Sequence, residues 1–155
     1  MSAKAFSFAT GCALVAVDTF RVVAQQAPPE VECLDVLADA QQDKVYVQPF
    51  RRTAEGWTPL APLAIRPFGE WLATREAHAW VGGAGLHRWG AHLPAGTPIL
   101  DPNRREPRPE GLLQVGLAAY SAGERTDLWT LEPLYLRPSS AEEQWAARGK
   151  SSSET

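Results

Sequence analysis

The chain is poor in cysteine, in histidine and in long apolar runs, and each shortage closes off a class of function. Cys12 and Cys33 are too few for a disulfide framework and lack CxxC spacing, so both read as reduced, small core residues of a cytoplasmic protein. No apolar run reaches the length of a membrane-crossing helix, so no membrane role is expected. The net charge of −3 supplies no global field to gather nucleic acid, which argues against autonomous RNA or DNA binding. The three histidines, His78, His87 and His92, form no HxxxH or HxxE arrangement and read as surface or cap residues rather than zinc ligands. Ser7, Ser121 and Ser139 lie in no nucleophile elbow, so a serine hydrolase has no support.

What is present fits one soluble domain with a real core: 155 residues, 45% hydrophobic and 21% charged. Six tryptophans and thirteen prolines suggest large apolar anchors and many rigid loop ends. The N-terminus has the outline of a signal peptide, a basic start at Lys4 and an apolar stretch from Ala5 to Val17, and Ala9-Thr10-Gly11-Cys12 faintly matches a lipoprotein box. Asp18 and Arg21 end that stretch and Ala24-Gln25-Gln26-Ala27 is a poor cleavage site, so an exported binding domain is a lesser reading.

The fold is declared between Cys33 and Phe50. Leu34, Val36, Ala38 and Ala40 alternate with Asp35, Leu37 and Asp39, and after Gln41-Gln42-Asp43 the residues Val45 and Val47 alternate with Tyr46 and Gln48. This pattern predicts an antiparallel hairpin, with Leu37 and Tyr46 making the second face apolar enough to be covered as well. Pro49 cannot donate to a ladder, so pairing should stop or bulge there.

Upstream, the spacing of Ala5, Phe8, Ala9 and Cys12 predicts a helix from Ser2 to about Gly11. A short buried strand over Ala13–Val17 follows, and then a helix capped by Asp18 with Phe20, Val23, Ala24 and Ala27 inward, stopped by Pro28-Pro29. Downstream, a polar turn over Arg51–Gly56 leads to an extended edge segment from Trp57 to Ile65. Pro67 opens a helix carrying Phe68, Trp71 and Leu72 inward. Ala79-Trp80-Val81 is a short strand ending in Gly82-Gly83-Ala84-Gly85, before a short helix marked by Leu86, Trp89 and Leu93. Pro98-Ile99-Leu100 is a further strand, and Asp101 to Pro109 a charged loop. Glu110–Ala122 is a helix with Leu112, Val115, Gly116 and Ala119 in one stripe, widened by Leu113, Leu117 and Tyr120 and stopped at Gly123. From Ser139 the chain is polar and is expected to be mobile, with a loose helical turn over Ala141–Arg148. The order of elements implies an α/β layer structure with a mixed sheet.

Several residues could do chemistry. Asp35 and Asp39 share a strand face and could bind magnesium or act as a base, although Asp39 bonding the turn and Asp43 beginning it is the simpler reading. The Gly82–Gly85 turn lies between a strand and a helix, where backbone N–H groups can approach a phosphate. It lacks both P-loop and dinucleotide spacing, which favours a plain turn. Arg104, Arg105 and Arg108 lie in a loop that is solvated by default and could touch phosphate. No catalytic constellation assembles.

Four stretches are similar to a known family. Ala3-Lys4-Ala5-Phe6 followed by Gly11 to Phe20 resembles the helix, strand and helix "AKGLA…G…P…GVSTL" of the TsaB family. Ala38 to Tyr46 resembles its "IDARxGEVY" hairpin, Val81 to Gly85 its "VGxG" turn, and Leu131-Glu132-Pro133-Leu134-Tyr135-Leu136-Arg137 its closing "xxPxYLR". The resemblance implies an actin-like (RNase H-like) lobe and an accessory, non-catalytic role. Family members assist the placing of threonylcarbamoyl on the adenosine beside the tRNA anticodon. The partners it implies are a TsaD-like catalytic subunit and a TsaE-like ATPase, with tRNA met only through that complex, a homodimer possible, and no cofactor of its own.

In the family a first lobe with an "AIDTS"-like strand and a "GPGSFTGLR" turn precedes the point that aligns with Met1. Residues 1–30 then read as a remnant of that lobe, 31–138 as the second lobe and 139–155 as a tail. A miscalled start, a truncated subunit and a lobe completed by another chain are the three explanations. Gln41, Gln42 and Asp43 stand where the family has Arg, another residue and Gly, so the turn should differ. The implied partner-interface residues are Ala3, Phe6, Ser7 and Thr10. The alternative is a nucleotide-binding fragment using Gly82, Gly83 and Gly85 for phosphate and Asp39 for magnesium.

Overall fold

A computed structural model describes residues 2–134 and 136, and the expected tail from Ser139 lies outside the described residues. The hairpin forms as expected: β1 (Cys33–Asp39) pairs antiparallel with β2 (Lys44–Thr53), Leu37 opposite Val47 and Leu34 opposite Phe50. Its turn places Gln41, Gln42 and Asp43 at φ of 60°, 48° and 56°, three consecutive left-handed residues with no glycine among them. Asp39 Oδ1 accepts from the Gln41 N–H at 3.1 Å, so Asp39 does hold the turn. Asp43 closes it rather than begins it.

The strand β2 does not stop at Pro49. It runs on to Thr53, because its outer neighbour changes at that point. β4 (Ala64–Pro67) pairs with its first half and β3 (Gly56–Pro59) with its second. The Pro49 carbonyl accepts from the Leu60 N–H at 2.8 Å, so the edge of Pro49 that lacks a donor faces the crossover between β3 and β4. The single extended segment expected from Trp57 to Ile65 is thus two short strands on one edge.

On the other side β1 pairs in parallel with β5 (Trp80–Gly82), which meets residues 98–100 through a bridge between Val81 and Ile99 rather than a full strand. The sheet order is β3-β2-β1-β5, with β4 beside β3 on β2.

Both faces of β1 are covered, which is why Leu34 to Leu37 are all buried. One face packs with α2 (Thr19–Gln25): Val23, Ala24, Ala27, Leu34, Val36, Phe50 and Trp57 form one core. The other packs with α3 (Phe68–Thr74) and α4 (Leu86–Trp89) around Leu37, Val45, Val47, Trp71, Val81 and the stacked rings of Phe68 and Trp89. Asp18 caps α2 as expected, accepting from the Phe20 N–H at 2.8 Å. Arg52 anchors the segment after that helix from across the sheet, donating to the carbonyls of Ala27, Pro28 and Val31 while lying over the Trp57 ring.

Three expectations fail, wholly or in part. Residues 13–17 are not a buried strand. Among the described residues their backbone bonds to the 126 region, through Thr126 N–H to Leu14 O and Ala16 N–H to Thr126 Oγ1, while β2 and β5 occupy both edges of β1. The stripe expected on α5 (Pro109–Ser121) holds only in part: Val115 and Ala119 are buried against α2 together with Gly111, Gly116 is half-buried and Leu112 is not covered. A Cβ on Gly111 would come within 2.9 Å of Gln26 Oε1, so α2 approaches only the small-residue face, and Leu112, Leu113, Leu117 and Tyr120 stay exposed. Cys12 is exposed and Cys33 half-buried, so neither is a core residue, although both thiols are free.

Candidate functional site

The Gly82–Gly85 turn sits directly under β1. A Cβ at Gly83 would fall 2.2 Å from the Leu37 carbonyl oxygen, and one at Gly85 2.9 Å from Leu37 Cβ. The Gly85 N–H donates to that same carbonyl at 2.9 Å. Close packing of backbone on backbone therefore accounts for these glycines. Asp39 is also engaged: Arg88 Nη1 reaches both its oxygens, at 3.2 and 3.1 Å, and Arg88 Nη2 reaches Asp43. Partial burial works to raise the Asp39 pKa, but the Arg88 and Gln41 hydrogen bonds and the Arg88 charge outweigh it, so the carboxyl is held below its ordinary value. The structure brings Asp39 beside this turn through Arg88, in an arrangement that ties α4 to the hairpin.

The helix α1 (Ser2–Thr10) buries no residue. Ala3, Phe6 and Thr10 are exposed, and Ser7 is half-buried. Two of these four close the helix end: Ser7 Oγ donates to Cys12 O and Thr10 Oγ1 to Phe6 O, each at 2.7 Å, before Gly11 turns the chain at φ +71°. The apolar stripe through Phe8 points outward. Phe8 is 71% exposed and meets Trp129, itself 75% exposed, edge to face at 5.9 Å. Sequence periodicity detected the stripe but could not tell that the fold leaves it bare. Phe8 and Trp129 were not among the predicted interface residues.

A cleft of about 290 Å³ opens between β1 and α3, lined by Cys33, Asp35, Trp71, Arg75 and Glu76 with Pro49, Leu60 and Pro62 opposite. Asp35 at its floor is only 6% exposed. Trp71 Nε1 donates to Asp35 Oδ2 at 3.1 Å, and Arg75 Nε lies 3.8 Å from the same oxygen, too long for a hydrogen bond. Desolvation pushes the Asp35 pKa above its ordinary value. The Trp71 bond and the Arg75 charge oppose the rise, while Glu76 adds to it.

A raised native pKa means the folded state holds the proton more tightly than the unfolded one. This contribution to stability is complete below the ordinary aspartate range and is lost as pH climbs through the raised value. Asp35→Asn keeps an acceptor for Trp71 and cannot ionise. Thermal melts at a series of pH values should show the variant gaining on the parent as pH rises through that window. A gap that narrows instead would mean that Trp71 and Arg75 outweigh burial.

The remaining candidates resolve into structural roles. Arg104 Nη1 donates to Gln26 O at 2.6 Å and Arg105 Nε to Leu100 O at 2.8 Å, so both anchor the loop instead of standing free for phosphate. Gln26, unnoticed in the sequence, pins this loop to the end of α2. Its amide donates to Arg104 O and Glu106 O, and its carbonyl accepts from the Arg108 N–H. His87 pairs with Glu106 at the surface, and His92 lies edge-on to Phe68 and Trp89. His78 is different: its ring nitrogen lies 3.2 Å from Glu76 Oε2, and Cys33 Sγ is close to both. Cys33 is distant in sequence, so no spacing rule could have joined them.

Comparison with solved structures places this architecture. The chain has a YeaZ-like fold. It superposes on YeaZ from Pseudomonas aeruginosa with a TM-score of 0.73 at 22% identity, over 87% of this chain and 65% of that one. A Pseudomonas aeruginosa protein described as uncharacterised with similarity to the peptidase YeaZ gives a TM-score of 0.72 at 23% identity, over 86% and 63%. The chain thus spans less than two thirds of the length of either. YeaZ is the TsaB protein, so the actin-like α/β architecture expected from the four sequence stretches is present. No family model and no curated protein matches the chain. Among the described residues, no helix is long and apolar enough to cross a membrane.

Proposed function

We propose that this chain is a TsaB-like accessory subunit that acts by lending surface to a TsaD-like catalytic partner in threonylcarbamoylation of tRNA. The observation that carries this reading is α1, a helix with no buried residue, on which Phe8 stands exposed against Trp129 and Phe6 is exposed on another face. A large apolar side chain left bare on an exposed helix gains most when a second helix covers it. The four family-like stretches and the YeaZ-like fold support the choice of partner. A TsaE-like ATPase would join the assembly, and tRNA would be met through the complex.

Co-expression with the cognate TsaD-like protein tests this directly. A stable complex is expected, and Phe6→Asp with Phe8→Asp should weaken it at least tenfold, since the ring that the partner covers is lost and a charge takes its place (about 1.4 kcal/mol per tenfold). The fold should persist, because neither ring is in the core. Failure of the parent chain to form any complex would reject the proposal. Calorimetry with ATP and magnesium separates it from the nucleotide-binding alternative, for which binding heat would have to be substantial.

A further inference from the structure

We propose that Cys33, Glu76 and His78 form a binding site for a thiophilic divalent cation of the zinc class. One donor atom from each, Cys33 Sγ, a Glu76 carboxylate oxygen and a His78 ring nitrogen, lies within 4.8 Å of the other two. Tetrahedral zinc with bonds of about 2.0–2.3 Å separates its donors by about 3.5 Å, so the exposed Glu76 and His78 side chains need to close only slightly on the half-buried Cys33. Glu76 Oε2 and His78 Nε2 already stand 3.2 Å apart.

The backbone that presents these groups is built in place. Cys33 opens β1, and the parallel ladder that pairs Leu34 with Trp80 sets it beside the turn preceding β5. That turn is closed by the Ala79 N–H donating to Glu76 O at 3.1 Å, and Arg75 Nη2 bonds Ala79 O across it. Glu76 and His78 are thereby held two residues apart on one tight turn.

The donor set is selective. Thiolate with imidazole favours zinc-like ions over magnesium or calcium, which prefer all-oxygen shells. Three protein ligands leave a fourth position for water or a small anion, and Cys33 and Glu76 also line the cleft that could admit it. Arg51 Nη2 lies 3.8 Å from Glu76 Oε1, the oxygen turned away from His78, so it can steady the carboxylate from outside the coordination shell. Arg51 also interacts with Cys33, and its positive charge opposes a cation, so its half-exposed side chain has to give up the thiol when a metal binds.

Cobalt(II) titration of the full chain under a non-thiol reductant tests the site. A thiolate-to-cobalt charge-transfer band with the intense visible bands of tetrahedral cobalt should appear at one equivalent and be displaced by zinc. Cys33→Ser should abolish the charge-transfer band, His78→Ala should weaken cobalt binding at least about tenfold, and Cys12→Ser should change neither. His78 is at the surface, so its variant should melt like the parent. Absence of the band in the parent chain, its survival in Cys33→Ser or unchanged affinity in His78→Ala would overturn the proposal.

Discussion

Gly83→Ala is expected to cost about 2–5 kcal/mol, a large share of a domain's stability, from overpacking added to a left-handed backbone. The residue sits at φ +95°, where a side chain is strained whatever the space, and its Cβ would enter the Leu37 carbonyl at 2.2 Å. The obstacle is backbone of the central strand, which cannot move without shifting β1 against β2. Two neighbours calibrate the effect. At Gly82 the nearest obstacle is Leu100 Cδ1, the far end of a side chain, so Gly82→Ala should cost less. At Gly11, φ is +71° with nothing within 4 Å, so only the backbone term of about 1–2 kcal/mol should appear. Urea unfolding of the three variants would rank them, and a Gly83 variant as stable as the parent would mean that the turn does not press on Leu37.

Phe50→Ala should destabilise the chain by about 3–5 kcal/mol, the range for truncating a buried aromatic. Phe50 is fully buried opposite Leu34 and packs with Val23, Ala24, Val36 and Trp57, so the cavity would open between the sheet and α2. Hydrogen exchange should then show α2 losing protection first, since its packing on the sheet is lost while Arg52 bonds only the segment that follows it, at Ala27, Pro28 and Val31. Phe8→Ala is the matched control: a ring already in solvent should change stability by no more than about 0.5 kcal/mol. Equal losses at the two positions would contradict the assignment of α1 as an uncovered surface helix.

The same contrast explains what could be read in advance. Alternation over Leu34–Val47 specified the hairpin, because side chains that alternate between two faces must each meet a core, while its register came from the structure. The Asp18 cap and the stop at Gly11 were equally legible, since each depends on bonds to residues only a few positions away. The stretch Ala13–Val17 shows the limit of such reasoning. Its composition suits a strand, but a strand needs a free edge, and which edges are free is settled by pairings far along the chain. Pro49 shows the reverse: a residue that should interrupt a strand is harmless where the neighbour changes.

The candidate sites follow that division. Cys33 is 43 and 45 positions from Glu76 and His78 (76 − 33 and 78 − 33), and only the parallel pairing of β1 with β5 brings them together. Gly83 and Gly85 were visible as a turn, whereas the reason for them, the Leu37 backbone, was not. By itself the amino-acid order determined the local elements, their caps and the apolar stripes of α1 and α5, because these depend on dihedral preference and periodicity within a few residues. Tertiary structure alone decided which stripe is covered, because burial depends on what else the chain can bring alongside. Here α2 takes the small-residue face of α5, and α1 is left with Phe6 and Phe8 in solvent.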